Sequence, residues 1–265
     1  MLESCSQRPK GFLATDPKGF GNPLGLSGNP KGLGRPKGFL ETLWVFGGTM
    51  AKQIPLVYGG YYHIYNRGNN RENIFIEERN YAYFLNLYAK YIEPVAETYA
   101  YCLLRNHFHL LVRIRTEDEL VARSDPKGSG NKNPKGLGDP SGLKLPIPSQ
   151  QFGKLFDAYA KAINKAYNRT GSLFQHPFGR IRVTSDEYFV QLVQYIHFNP
   201  QKHGFVTDFR EYPYSSYHAL LSHKPTKLAR AQVIEWFNSQ AAFVQAHQTP
   251  MDEKRIAHWI AEDAD

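Results

Sequence analysis

Apolar residues recur with clear periods between residues 61 and 114, and these periods predict a strand, a helix and a hairpin in that order. Residues 61–67 alternate as a strand does, and residues 77–92 place Tyr81, Phe84, Leu85 and Tyr88 at helical spacing. Residues 95–104 and 107–114 predict two strands joined near Arg105.

The second half of the chain predicts a helix, a strand and a further helix. Residues 150–168 carry an apolar helical stripe, residues 172–183 predict a strand, and Thr184 to Glu187 have the form of a capping box. We expect the helix that opens there to end at Pro200, and short helices to follow, including residues 229–246. The order predicts an α+β fold, an antiparallel sheet with helices packed on one face.

Two segments interrupt this pattern with a degenerate Pro-Lys-Gly repeat, at residues 9–40 and 126–142. Such units are too rich in proline and glycine for helix or sheet and carry almost no core residues, so we expect disorder. The predicted domains are therefore a disordered extension at 1–49, a compact domain at 50–223 with a disordered insert at about 116–148, and a C-terminal helical extension at 224–265.

Composition narrows the class of partner. The chain has 265 residues and a formal net charge of +8, which favours an anionic partner such as nucleic acid, and its 17 Tyr and 17 Phe supply rings on which unpaired bases can stack. Its two cysteines support neither a disulfide framework nor a cysteine metal site. No run of residues approaches a membrane span, so we expect a cytoplasmic protein without membrane contact.

The candidate chemistry lies in two short motifs. His107 and His109 are two positions apart on a predicted strand, so both would project to one side and could hold a divalent cation. Tyr195 and Asn199 are one helical turn apart on one face of the last predicted helix. Together these residues could perform metal-assisted attack of a tyrosine on a phosphodiester. The alternatives are a histidine pair in the core, a tyrosine packed on the sheet, and an asparagine that only caps its helix.

Five segments together carry a resemblance to a known family. They run from Tyr62 to Phe75, Leu103 to Val112, Gly171 to Arg180, Tyr195 to Gly204 and Tyr212 to Tyr217. From about Tyr61 the chain resembles the single-tyrosine HUH transposases, and within them the group associated with repetitive extragenic palindromes (REP). The resemblance implies a ferredoxin-like, or RRM-like, catalytic domain with Tyr195 as the nucleophile and His107, His109 and Asn199 as metal ligands.

The resemblance also implies cleavage and rejoining of single-stranded DNA at hairpins or palindromic repeats, through a 5′-phosphotyrosine. Two imidazoles and a carboxamide lead us to expect Mg²⁺ or Mn²⁺. The expected partner is single-stranded or hairpin DNA, bound by a monomer or a homodimer. The candidate DNA-binding residues are Arg67, Arg71, Arg105, Asn106, Arg180 and Arg182.

Several alternatives remain open at this point. Tyr188, seven residues before Tyr195, is a rival nucleophile, and His197 has at most a supporting role. A domesticated protein of the same fold could bind DNA or RNA hairpins without cutting. An unrelated metal-dependent hydrolase would need carboxylates beside the histidines, and residues 95–115 contain only Glu97.

Overall fold

Four strands form one antiparallel sheet in the computed structural model, which describes residues 54–124 and 145–249. The strands are β1 (Tyr61–Arg67), β2 (Ala96–Leu103), β3 (His107–Ile114) and β4 (Gly179–Val183). Their spatial order is β2-β3-β1-β4, and every neighbouring pair is antiparallel. With a helix connecting β1 to β2 and another connecting β3 to β4, this is a ferredoxin-like arrangement. The predicted α+β class is confirmed.

The register between the central strands decides which side chains share a face. In the β1–β3 pair, Tyr65 lies opposite His109 and Arg67 lies opposite His107. Directly opposed residues point to the same side of a sheet, and alternate residues share that side. His63 therefore projects to the face that carries the two histidines of β3.

The other face of the sheet packs against two helices, α1 (Glu78–Tyr91) and α3 (Pro148–Ala166). A capping box fixes the start of α1, since the Glu77 side chain accepts from the backbone of Asn80 and the Asn80 side chain accepts from the backbone of Glu77. Ile64 and Phe108 belong to the core between the sheet and these helices. The apolar spacing of residues 77–92 and 150–168 predicted these two helices.

A second helical layer covers the histidine face, which the expectation of helices on one face did not include. It contains α4 (Asp186–Lys202), α5 (Tyr217–Leu221), α6 (Arg230–Trp236) and α7 (Gln240–Gln248). These helices bury a second core, which includes Leu111 of β3. Because β3 is covered on both sides, seven of its eight residues are buried, which is typical of a strand inside a three-layer structure.

Helix α4 begins where the sequence predicted but ends later. Ser185 is the N-cap, and its side chain accepts a hydrogen bond from the Tyr188 backbone nitrogen at 3.2 Å. The expectation that Pro200 ends the helix was wrong, because α4 continues to Lys202. Pro200 removes one N–H from the helix ladder, but the next turn still closes, because the His203 nitrogen donates to the Asn199 carbonyl at 3.0 Å.

Two predicted elements besides α4 also differ from what the structure shows. The strand expected at 172–183 is shortened to β4, because the chain carries Pro177 before it, and only Phe174 forms an isolated bridge, to Gly68. The helix expected at 229–246 is divided into α6 and α7, where Asn238 takes a positive φ of 66°.

The expected disordered insert at 116–148 begins instead with helix α2 (Glu117–Ser124). Thr116 and Glu119 form its capping box: the Thr116 nitrogen donates to Glu119 Oε2 at 2.7 Å, and the Glu119 nitrogen donates to Thr116 Oγ1 at 3.3 Å. The remaining insert up to residue 144 lies outside the described residues, as do the predicted extension at 1–49 and residues 250–265. Within the described ranges, no helix combines the length and the apolar character needed to cross a membrane.

Candidate functional site

The two histidines of β3 lie under α4. Alternation along β3 turns His107 and His109 to the same face, and their ring centroids are 5.2 Å apart with nearly perpendicular planes. Both side chains are buried, at 2% and 1% exposure. A neutral imidazole has one nitrogen with a free lone pair, so the pair offers two nitrogen ligands to one cation.

Helix α4 carries the tyrosine and the asparagine to this pair. Tyr195 and Asn199 are four residues apart, so they share the helix face that packs on β3. The Asn199 Oδ1 atom lies 3.2 Å from His107 Nε2, and the Tyr195 ring centroid lies 5.5 Å from that of His109. The structure thus brings together the four residues of the two sequence motifs, although they lie about 90 residues apart in the chain.

The Nδ1 atoms of both histidines have partners. Asn106 Oδ1 lies 2.7 Å from His107 Nδ1, and His63 Nε2 lies 3.0 Å from His109 Nδ1. With the His107 proton on Nδ1, where it donates to the Asn106 amide oxygen, Nε2 keeps its lone pair and faces Asn199 Oδ1 as a second ligand atom for one cation. Since metal-bound histidines usually donate through their other nitrogen, the two Nε2 atoms are the ones suited to a cation.

The donor set fits a small divalent cation. Two neighbouring ligands of an octahedral ion at about 2.1 Å lie roughly 3.0 Å apart, close to the 3.2 Å between His107 Nε2 and Asn199 Oδ1. The buried Asn199 Nδ2 has no hydrogen-bond partner among the described residues. Within those residues, no group of three or more His, Cys, Asp or Glu is arranged to hold a metal. The fit therefore depends on the carboxamide as third ligand.

Burial and basic neighbours keep the histidines neutral. Burial, followed by repulsion from His109, lowers the pKa of His107 to about 2, and burial, followed by repulsion from His203, lowers the pKa of His109 to about 3. Arg67 lowers the pKa of both rings, and Lys202 lowers that of His109. Neutral imidazole is the form that binds metal. The same basic groups make the site attractive to a phosphate.

Three basic side chains surround the pair. Lys202 Nζ lies 5.2 Å from the Tyr195 ring centroid, and the His203 ring lies 4.8 Å from that of His107. Arg67 lies opposite His107 across the β1–β3 pair. A cleft of about 110 Å³ opens beside the histidines, lined also by Arg67 and Gln175. Arg67 is thus the predicted DNA-binding arginine that the structure brings closest to the site.

Two predicted DNA contacts, Arg180 and Arg182, lie on the opposite face. In the β1–β4 pair they oppose Ile64 and Tyr62, whose side chains point toward α1 and α3. The Arg180 guanidinium packs over the Phe178 ring at 4.3 Å, and burial lowers its pKa. These two arginines do not join the histidine site.

The other three predicted contacts lie near the start of β3. The Asn106 side-chain oxygen is hydrogen-bonded to the His107 ring, so Asn106 contacts the candidate metal ligand and not a solvent-exposed DNA surface. Arg105 is exposed, and its carbonyl accepts from the nitrogens of Ile74 and Phe75. Arg71 is exposed in a short 3-10 turn after β1.

The remaining candidates on α4 lie away from the pair. His197 is buried on the side of α4 that faces the C-terminal helices, where its Nδ1 donates to His247 Nε2 at 2.8 Å and its Nε2 accepts from Ser216 Oγ at 2.7 Å. Tyr188 is buried in the second core near the start of the helix.

Sequence reasoning missed four residues of the site: His63, Tyr65, Lys202 and His203. His203 follows Asn199 by four residues, so a helix continued past Pro200 would have predicted it. His63 and Tyr65 alternate on β1 as the two histidines do on β3. Only the strand order, which the sequence does not contain, places the two strands side by side.

Comparison with known proteins agrees with the motifs. A protein of Haemophilus influenzae with the provisional name REP-associated tyrosine transposase is 29% identical over 125 residues, which cover 46% of this chain and 59% of the relative. The predicted resemblance to the REP-associated tyrosine transposases is confirmed. This chain thus matches less than two thirds of that relative's length.

No family model matches the chain. A solved structure of a REP-associated tyrosine transposase bound to a REP hairpin superposes with a TM-score of 0.47 and 16% identity, over 69% of this chain and 92% of that chain.

Proposed function

We propose that this chain binds single-stranded hairpin DNA and cuts and rejoins it through Tyr195, with a divalent cation held by His107, His109 and Asn199. The observation that carries the proposal is the meeting of Tyr195 and Asn199 on α4 with the histidine pair on β3. The similarity to a REP-associated tyrosine transposase supports a palindromic DNA hairpin as the substrate class.

Each residue has a defined part in this reaction. The two Nε2 atoms and Asn199 Oδ1 would hold the cation, which would polarise the scissile phosphate and offset its developing charge. The Tyr195 oxygen attacks phosphorus, so an O–P bond forms to tyrosine while the bond from phosphorus to the 3′ oxygen breaks. The proton lost by the tyrosine is balanced by the proton gained by the 3′-hydroxyl. Reversal of the step reseals the strand without a nucleotide cofactor.

Basic side chains position the DNA backbone. Arg67 lines the cleft beside the histidines, so it can contact the scissile phosphate directly. Lys202 lies against the Tyr195 ring and can neutralise charge on either the tyrosinate or the phosphate. Arg105 and Arg71, both exposed, extend the basic surface along the strand. Such contacts bind phosphates and do not read sequence.

One observation favours a second candidate, a hairpin-binding protein that does not cut. Tyr195 has 0% exposure, so DNA can reach its hydroxyl only after a local rearrangement of α4 or its neighbours. A third candidate, a hydrolase of another kind, has no such support. Glu97, the carboxylate it would use, is bound to Arg113 at 2.7 Å and to Arg115 at 3.0 Å.

The deciding experiment measures cleavage of a labelled single-stranded hairpin with and without chelator, for the parent chain and His107→Ala. We expect chelation and the substitution each to abolish cutting, and Mn²⁺ or Mg²⁺ to restore only the chelated parent. Exposed Lys154 lies on α3, on the other side of the sheet, so Lys154→Ala is a matched control that should cut normally.

The outcomes separate the three candidates. Binding without cutting under any metal condition would favour the non-cutting protein, and hydrolysis without a covalent adduct would favour the hydrolase. Perfect duplex should resist cleavage, because its backbone cannot bend into the site. Binding should weaken as salt rises, since a chain of charge +8 displaces counterions from phosphates.

A further inference from the structure

His63 lies beside the candidate metal site but outside the proposed ligand set. It projects from β1 to the histidine face, where its ring stacks on that of His109 with centroids 5.2 Å apart and planes 25° apart. It is 1% exposed, and the Tyr195 ring centroid is 6.3 Å from its own. A polar ring buried this deeply costs folding free energy unless its hydrogen bonds are made.

The contact between the two rings is specific. His63 Nε2 lies 3.0 Å from His109 Nδ1, a normal hydrogen-bond length. One of the two nitrogens must carry the proton and the other must accept it. If His109 Nδ1 is the donor, the lone pair of His109 lies on Nε2. If His63 is the donor, Nε2 of His109 carries the proton and cannot bind a cation.

The matching contact on the other ligand is to an amide oxygen. In the tautomer of His107 that suits a cation, Nδ1 donates to Asn106 Oδ1, and the Nε2 lone pair faces the cation beside Asn199 Oδ1. Both ring ligands would then present Nε2 and donate through Nδ1, as metal-bound histidines commonly do. For His109 the acceptor is a second imidazole, supplied by the neighbouring strand.

We propose that His63 is a positioning residue, which accepts the Nδ1 proton of His109 and so fixes the ring orientation and tautomer in which His109 Nε2 binds the cation. The proposal rests on the proposed function, since it assumes that His109 is a ligand. His63 itself touches neither the cation nor the DNA. Its effect is therefore on metal affinity first, and on cleavage only through the metal.

The test is titration calorimetry of the full chain with Mn²⁺ alone. His63→Leu removes the acceptor at similar volume and should weaken Mn²⁺ binding about 10-fold to 100-fold, as loss of an outer partner does. His63→Gln keeps an acceptor oxygen and should recover most of the lost affinity. That rescue is the readout that a purely structural role for His63 would not produce.

A matched control is Leu111→Ala, at the position directly opposite His63 on β3. It removes buried apolar volume beside His63 and leaves the His63–His109 contact in place, so it should lower the melting temperature without changing Mn²⁺ affinity. If His63→Leu unfolds, His63→Met gives the same comparison, because its thioether is only a weak acceptor.

Three results would overturn the proposal. Parental Mn²⁺ affinity in His63→Leu, with affinity lost in His107→Ala, would remove His63 and leave the proposed function intact. Equal loss in the Gln and Leu variants would show that an acceptor at this position is not enough. Parental affinity in His107→Ala and His109→Ala would remove the metal site itself, and the role of His63 with it.

Discussion

Replacement of Tyr195 by phenylalanine tests the nucleophile most directly, because it removes one oxygen and keeps the ring. We expect Tyr195→Phe to form no covalent adduct with a single-stranded hairpin while it binds that hairpin almost as the parent does. No other atom of the ring can attack phosphorus, so the adduct should fall below detection. Tyr188→Phe is the matched control, since it deletes the same atom from another buried tyrosine of α4.

The geometry separates the two tyrosines. Seven residues of α-helix correspond to a rise of about 10.5 Å, so Tyr188 lies roughly two turns from the residue that meets the histidines. Tyr195 packs on His109 with ring centroids 5.5 Å apart. Burial also raises the pKa of Tyr188, which makes its tyrosinate harder to form. Tyr188→Phe should therefore keep full adduct formation.

The stability change should be small for both variants. Both substitutions keep the buried ring and delete one hydroxyl, so stability should change by no more than about 1.5 kcal/mol, which corresponds to a few degrees in melting temperature. The assay is a denaturing gel of the protein with an end-labelled hairpin, paired with a binding titration and a thermal melt. Full adduct in Tyr195→Phe, or its loss in Tyr188→Phe, would refute the assignment.

Three further predictions concern the framework of the site. A Cβ at Gly179 would overlap the Tyr65 ring, so Gly179→Ala should lower stability by about 1–3 kcal/mol in a urea titration; parental stability would contradict this. Arg113 lowers the pKa of Glu119 from 4.5 to about 2, so the free energy of unfolding should rise as the pH increases from 2 to 4.5. The rise should be only about 1 kcal/mol because the carboxylate is partly exposed. Arg113→Met should flatten it. Burial lowers the pKa of His247 from 6.5 to about 4. The neutral ring therefore stabilises the fold fully above pH 6.5, and this stabilisation is lost as the pH falls toward 4. His247→Leu should accordingly lose less free energy of unfolding than the parent between pH 7 and 5.

The strands and helices with a regular apolar period could be predicted from the sequence. Residues 61–67 and 107–114 have the predicted strand bounds, and α1 differs from its prediction by one residue at each end. The errors concern positions where a general rule on proline or on loop composition did not hold. Pro200 did not end α4, and the capping box at Thr116 began a helix inside the expected insert.

The sequence could predict only those pairs of site residues that lie within one strand or one helix. Spacing within a strand pairs His107 with His109, and spacing within a helix pairs Tyr195 with Asn199. His63 comes from a strand more than 40 residues away from His109, and its place depends on the order β2-β3-β1-β4. Arg180 and Arg182 were expected at the DNA because they are basic, but the register of β4 turns them to the other face.

The position of α4 depends on a hydrogen-bond chain that runs away from the site. The Tyr101 backbone nitrogen donates to Ser216 Oγ at 2.9 Å, Ser216 donates to His197 Nε2, and His197 donates to His247, whose Nδ1 donates to the Phe243 carbonyl at 2.7 Å. Burial lowers the pKa of both histidines, which keeps them neutral. Because the Phe243 carbonyl only accepts, the His247 proton lies on Nδ1, and the other protons of the chain follow from it.

That chain connects the β2 edge, α4 and α7, three elements that have no sequence motif in common. It is anchored on His197, which lies between Tyr195 and Asn199 on α4 but points to the opposite side of the helix. The helix is therefore held by polar bonds on one side, while its other side carries Tyr195 and Asn199. A buried network with every partner satisfied rigidifies the element that carries it. The C-terminal helices thus contribute to the candidate site without touching it, because they fix the helix that brings tyrosine and asparagine to the histidines.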